Sequence, residues 1–392
     1  MIKLNFFPVL ISSVLAISCN ISFASVDSIT TPQKFLIGTW SGMPESTKLS
    51  SDFASQGIYT VQLNSDGTLL PLSEVKMQDP SWITLSKDSK FAYITNETKD
   101  GTVTSVSIDT HGVLKKLNQV SSLGDHPTHS TLSDDGKFLF IANYSVGPNK
   151  SGISVLPILA DGTLGEVIQN IKFLDGSHII HGRQDSGHAH SVTFSPDHKN
   201  LYVADLGSDI VRAYDYHPNE KVPLHANVNL DLYFPMGSGP RHMIFSEDGK
   251  FAYVTSEMNA EVTVFEKVNN KFIQIQREKL AEKDQDSYKS GSGLIFSPDH
   301  HFLYVGNRKD INEIITYKVD AMTGKLSYVT RHMSGGQEPR SFSLDQTGNY
   351  LLVANVNSNI ISEFKRNQET GYLIPTRIAL QVGQPTDIKF IQ

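Results

Sequence analysis

The chain has 392 residues, 39% apolar and 19% charged, with a formal net charge of −7 from 34 Lys and Arg against 41 Asp and Glu. That is the composition of a soluble globular protein, and the lack of any long basic run argues against nucleic acid as a partner. Attraction for an anionic small molecule must come from a local arginine cluster acting against the overall sign.

Residues 1–24 read as an export signal. Lys3 supplies the positive charge, residues 6–17 the apolar core, and "SFA" (22–24) a small-x-small cleavage site. The apolar stretch is too short for a comfortable membrane span, so a periplasmic or secreted location is expected. The sole cysteine, Cys19, sits in "AISC", a weak match to a lipoprotein cleavage box. Membrane attachment is expected only if Cys19 is lipidated. Cleavage after Ala24 leaves no cysteine, hence no disulfide framework and no thiol chemistry.

Residues 25–392 form one repeat-built domain. A frame of apolar run, Asp-Gly-Lys-type turn and second apolar run recurs, as in "HPTHSTLSDDGKFLFIANY" (126–144), "GHAHSVTFSPDHKNLYVADL" (187–206), "SGPRHMIFSEDGKFAYVTSE" (238–257), "SGSGLIFSPDHHFLYVGNR" (290–308) and "EPRSFSLDQTGNYLLVANV" (338–356). The turn anchors Ser89, Gly136, His198, Gly249, His300 and Gly348 recur about every 50 residues, a repeat-architecture period. Between them lie β-branched and aromatic runs, among them "GIYTVQL" (57–63), "GTVTSVSI" (101–108), "AEVTVFEK" (260–267) and "NIISEFKR" (359–366). A truncated seventh copy, "GQPTDIKFIQ" (383–392), is completed by "KFLIGTW" (34–40) at the other end. No sustained helical period is visible. The fold class is therefore all-β: a seven-bladed β-propeller with N- and C-terminal strands sharing one blade, which hides the sheet edges. The Asp-rich turns lack calcium-loop spacing. The sequons at 96–98 and 143–145 fall on strand ends and read as structure.

In a hairpin, residues equally far from the turn are neighbours. Eight residues before the anchors stand Ser81, Thr128, His190, Arg241, Ser292 and Arg340. Eight after stand Glu97, Tyr144, Leu206, Glu257, Arg308 and Val356. Both sets should face one mouth of the central channel, although a one-residue bulge would shift the pairing. Arg241 with Glu257 could be an ion pair capping a hairpin. Convergence of three arginines, a carboxylate and His190 from adjacent blades favours a functional site instead, since such charge is costly unless paired or solvated. Asp205, Asn143 and Asn307 stand one position earlier at strand ends. His188 and His190 share a strand face and could hold a metal with His181, but nearby arginines would repel a cation, so no metal and no cofactor are expected. His242 is expected to be a packed, hydrogen-bonded core histidine.

The ordered motifs "RQ…HAH", "DLG", "GPRH…E", "NR" and "PR" resemble the seven-bladed propeller lactonases, which include propeller-type 6-phosphogluconolactonase and carboxy-muconate lactonising enzyme. The likeness spans about residues 35–392. It implies catalytic or substrate-binding roles for His190, Arg241, Glu257 and Arg308, and a metal-independent reaction. Gly187 stands where Pro commonly precedes "HAH", and an export signal is unexpected for an enzyme of cytoplasmic sugar phosphates.

The expectation is an exported lactonase for a sugar-type or other anionic lactone, acting as a monomer. His190, Arg241 and Glu257 would be catalytic, and Arg308, Arg340, His188, Asp205, Asn143 and Asn307 substrate-binding. Arg241 would stabilise the oxyanion, with Glu257 or His190 as general base. A lactonising enzyme for a muconate-like diacid, or a non-enzymatic binding propeller of the cell envelope, are the alternatives.

Overall fold

The computed structural model describes residues 31–42, 54–145, 151–282 and 289–392. The expected export segment and Cys19 lie outside the described residues. Apart from a single 3-10 turn at Val228–Leu230, regular structure among them is entirely β. Short apolar runs of alternating character set by tight turns leave nothing else that would bury them.

Seven antiparallel sheets form a ring. Blade 1 is the closing blade, in which Pro385–Ile391 pairs with Gln33–Thr39, followed by Gly57–Leu63 and Leu69–Lys76. Blades 2 to 7 begin with inner strands Pro80–Leu85, Pro127–Leu132, Ala189–Phe194, Pro240–Phe245, Gly291–Phe296 and Pro339–Leu344. Each inner strand touches the next, and the ring closes between Pro339–Leu344 and Pro385–Ile391. Apolar clusters fill the space between adjacent blades. Tyr202, Phe251 and Tyr253 are buried there as core. Asn96 and Asn143 of the two sequons are also buried.

The turns that set the register share one chemistry. At Gly249 (φ 67°) the Ser246 hydroxyl donates to Asp248 Oδ1 (2.8 Å) and accepts from the Phe251 amide (2.9 Å). The Lys250 amide donates to the same Asp248 oxygen (3.0 Å). Side-chain groups thus satisfy turn amides that no ladder reaches. Ser133 with Asp135 and Ser195 with Asp197 repeat it.

Blade entry is also regular. Asp79, His126, Gly239, Glu338 and Gln384 hold positive φ and are each followed by the proline that opens an inner strand. Proline has no amide to donate and fits a first strand position.

The register differs from simple hairpin counting in one respect. Pro240 pairs with Ser256 and His242 with Thr255, so Arg241 is an extra residue in a β-bulge rather than the partner of Glu257. All seven inner strands carry this bulge. It falls on Ser81, Thr128, His190, Arg241 and Arg340 in turn, on Thr386 in the closing blade, and at Ser292–Gly293 in blade 6. A bulge frees one residue from alternation and re-aims its side chain.

Candidate active site

The bulges bring His190, Arg241 and Arg340 to one end of the channel, opposite the Asp-Gly turns. The ends of the second strands add Glu97, Glu257 and Arg308. Glu257 is the hub. Its Oε2 lies 3.1 Å from Arg308 Nη2, 3.4 Å from Arg241 Nε and 3.9 Å from His190 Nε2. Its Oε1 lies 2.5 Å from Arg183 Nη2.

Arg183 was quoted in a motif but given no role by sequence reasoning. It belongs to the long connection between Gln169–Lys172 and Ala189–Phe194. Its neighbour Gln184 anchors that loop: fully buried, it donates to the Leu206 carbonyl (3.0 Å) and to Asp209 Oδ1 (2.8 Å). Arg183 therefore reaches inward from a fixed base, and also donates to the Tyr144 hydroxyl (3.3 Å).

Two further carboxylates complete the ring of charge. Glu338 Oε1 meets Arg308 Nη1 at 3.0 Å. Glu97 Oε2 lies 3.5 Å from Arg340 Nη2 and accepts from Trp40 Nε1 (2.9 Å), while the Arg340 guanidinium sits over the Trp40 ring at 4.3 Å. Glu97 and Tyr144 were visible in the repeat register. Trp40 and Glu338 had no such signal, since both lie off the positions counted from the turns.

Burial sets the protonation states. Burial alone would raise the Glu257 carboxyl, but Arg308, Arg183 and Arg241 outweigh it and hold it well below the usual carboxylate range. Burial, then Arg241, Arg340 and Arg308, drive the His190 value well down, so its imidazole is neutral at physiological pH. Burial, then Arg308 and Arg340, also disfavour the charge of Arg241, against the pull of Glu257. A guanidinium starts so high that Arg241 stays charged. It is 1% exposed, and its Nε and Nη1 have no hydrogen-bond partner among the described residues. His190 Nδ1 is likewise unpartnered.

The remaining sequence-derived candidates are placed differently. His188 stacks on Tyr144 (4.5 Å) with Nδ1 2.9 Å from the Tyr144 carbonyl, beside the mouth. Asp205 accepts from the His188 amide (2.8 Å), from Ser208 and from Arg212 Nε (2.9 Å) inside its own blade. Asn143 donates to Ser154 (2.9 Å), and Asn307 accepts from the Ser290 amide (3.2 Å). Asp205 and Asn307 tie strand ends to connections and Asn143 ties its strand end to the neighbouring strand, with Glu257 among the partners of none of them. His181 is on the surface beside Asp185 (3.3 Å), away from His188 and His190. His242 lines the channel rather than packing between blades, its ring 5.3 Å from His190, 5.4 Å from His129 and 5.6 Å from Trp82. Beyond these rings the channel holds a cavity of about 620 Å³ lined by Thr193, Ser341 and Lys389. The cluster of charge lies at the mouth and not in this cavity.

Comparison with known proteins agrees with this fold. Residues 36–390 match a family model described as lactonase, 7-bladed beta-propeller. A protein of Formosa agariphila named 6-phosphogluconolactonase is 32% identical over 330 residues, 81% of this chain and 90% of its own. The Bacillus subtilis protein of the same name is 29% identical, covering 86% and 95%. The structure of a periplasmic gluconolactonase of Pseudomonas aeruginosa superposes with a TM-score of 0.86 at 37% identity, over 92% of this chain and 99% of that one.

Proposed function

Because this chain belongs to the seven-bladed β-propeller lactonase family, we propose that its charged mouth hydrolyses a neutral sugar-type lactone outside the cytoplasm, without a metal. The observation that carries the choice of substrate is the charge balance. Four guanidinium groups (Arg183, Arg241, Arg308, Arg340) face three carboxylates (Glu257, Glu338, Glu97) in direct ion pairs. One positive charge is left over, and of the unpartnered guanidinium donors in the mouth Arg241 holds two, Nε and Nη1, and Arg308 one, Nε.

The sequence suggested an anionic lactone clamped by Arg308 and Arg340. Both arginines are engaged with carboxylates, so a phosphate dianion would have to compete with Glu338 and Glu97 for them. A neutral lactone instead acquires its single negative charge on the carbonyl oxygen as the tetrahedral intermediate forms. A single uncompensated guanidinium matches that developing charge, which is where binding energy accelerates a reaction. The diacid of a lactonising reaction carries more charge than one cation offsets, which favours the hydrolytic direction.

In this reading Arg241 binds the carbonyl oxygen. A water attacks the carbonyl carbon, His190 takes its proton, and Glu257 stabilises the resulting imidazolium from 3.9 Å. The ring C–O bond then breaks, and the ring oxygen leaves with that proton as a hydroxyl. Arginines depress both groups; His190 takes the role of base because its Nδ1 is unpartnered, whereas both oxygens of Glu257 are held in ion pairs. Arg183, Arg308 and Arg340 position the carboxylates. The cationic surroundings of His190 repel a metal ion, which supports the metal-free reading. The extracytoplasmic location rests on the export signal read in the sequence and on the likeness to a protein named as periplasmic.

The deciding experiment compares gluconolactone with its 6-phosphate ester by proton release. A kcat/KM at least tenfold higher for the neutral lactone is expected. Preference for the phosphate ester would sink the substrate assignment, and no turnover of either would sink the reaction.

A further inference from the structure

We propose that the outer hairpin of blade 4 is a surface site for a borderline divalent transition metal, separate from the mouth. The segment "HPNEKVPLH" (217–225) joins the third strand, Ile210–Tyr216, to the outer strand, Leu224–Ala226. Asp215 pairs with His225 and Tyr216 with Leu224, and the His217 amide donates to the Pro223 carbonyl (2.8 Å). His217 and His225 are therefore a diagonal pair on one face of the hairpin, at a separation that long side chains bridge. The turn returns Glu220 between them, its amide donating to the His217 carbonyl (3.1 Å).

The three side chains converge. Glu220 Oε2 lies 2.7 Å from His225 Nε2, and Glu220 Oε1 lies 3.7 Å from His217 Nδ1. One donor atom from each falls within 4.8 Å of the others, and this is the sole such group of three His, Cys, Asp or Glu among the described residues. Two imidazoles and one carboxylate suit Zn²⁺, Cu²⁺ or Ni²⁺, whereas Ca²⁺ and Mg²⁺ require more oxygen ligands. Bond lengths of roughly 2.0–2.2 Å need only small side-chain rotations, because all three groups are half exposed. Pro218 and Pro223 restrict the loop that carries them, which lowers the ordering cost. Three protein ligands leave at least one position open to water.

The place of this hairpin in the fold gives the site a use. The outer strand of blade 4 has three residues, where those of blades 1, 2, 5, 6 and 7 have eight or nine. A metal held by residues on both sides of the hairpin would fasten a strand that few ladder bonds secure. Asp215, two residues before His217, pairs with Asn200 near the Asp-Gly-type turn, so the site lies at the end of the blade remote from the mouth.

The test is calorimetric titration of the full, untagged protein with Zn²⁺, alongside thermal melts with and without the metal. Wild type should take up a saturating equivalent that the double variant His217→Ala/His225→Ala lacks. Glu220→Gln should bind at least tenfold more weakly, as loss of a coordinating charge implies. Zn²⁺ should raise the melting temperature of wild type and not of the double variant, since a ligand that binds only the folded state stabilises it. Lactone turnover should be equal in both. Absence of saturable Zn²⁺ uptake by wild type, or an equal uptake by the double variant, overturns the proposal.

Discussion

Arg183 Nη2 lies 2.5 Å from Glu257 Oε1, although the two are 74 residues apart and Arg183 belongs to no repeat position. A loop arginine thus shares the carboxylate that the blades supply to Arg308 and Arg241. The mouth is a product of the ring and of one connection anchored by Gln184.

Removing that contact should be felt in the chemistry more than in the fold. Arg183 is partly exposed, and an exposed ion pair contributes only about 0–1 kcal/mol to stability, so Arg183→Ala should leave the melting temperature nearly unchanged. Because Arg183 positions Glu257 beside His190, the same change should lower kcat/KM by roughly tenfold, about 1.4 kcal/mol in the barrier. Arg183→Lys should recover part of the loss. A variant with wild-type kinetics would make Arg183 a bystander.

Arg241 and Glu257 should separate stability from activity. Arg241 is a buried charge without full hydrogen bonding, so Arg241→Met should leave the melting temperature level or higher. The same change should cut kcat by about a hundredfold or more, as loss of an oxyanion donor does. Glu257→Gln strands Arg241 and loosens Arg183, while Arg308 keeps Glu338; it should both inactivate and destabilise, by roughly 3–5 kcal/mol. Equal melting temperatures for the two variants would contradict this account of the cluster.

Acid should reveal the depressed groups. His190, His129 and His242 all lie well below the ordinary imidazole value, chiefly through burial. A value lower in the folded than in the unfolded chain gives stability that is present above the unfolded value and lost as pH falls toward the folded one. Denaturant unfolding should therefore show stability declining as pH drops below about 6.5. Glu257, also depressed, adds a further loss below roughly pH 4. Turnover behaves differently. Neutral His190 persists into mild acid, so kcat/KM should stay flat through pH 6.5. A limb that falls at that pH would remove His190 from the role of base.

Charge balance can be shifted deliberately. Glu338→Gln frees one face of Arg308 and adds a positive charge to the mouth. The ratio of kcat/KM for a phosphorylated over a neutral lactone should rise several-fold, and high salt should erase the gain as screening shortens the reach of charge to about 3 Å at 1 M. An unchanged ratio would show that Glu338 does not guard the site against anions.

The sequence by itself determined the number of blades, the closure of Pro385–Ile391 onto Gln33–Thr39, and the end of the channel at which His190, Arg241, Glu257 and Arg308 gather. Those follow from period, because each repeat must present the same residues at the same distance from its turn. What only the tertiary structure decided was the aim of each side chain. Strict alternation paired Arg241 with Glu257, whereas the bulge shared by every inner strand sets Arg241 off the ladder. Asn143, Asp205 and Asn307 bear polar groups one residue away, and the pleat turns them into their own blades. Arg183, Trp40 and Glu338 enter from connections, whose paths depend on contacts with distant blades and leave no period to read. Whether a guanidinium is free or neutralised depends on which carboxylates surround it in space. The proposal of a neutral rather than an anionic lactone rests on the pairing of Arg308 with Glu338 and of Arg340 with Glu97, which no sequence position reveals.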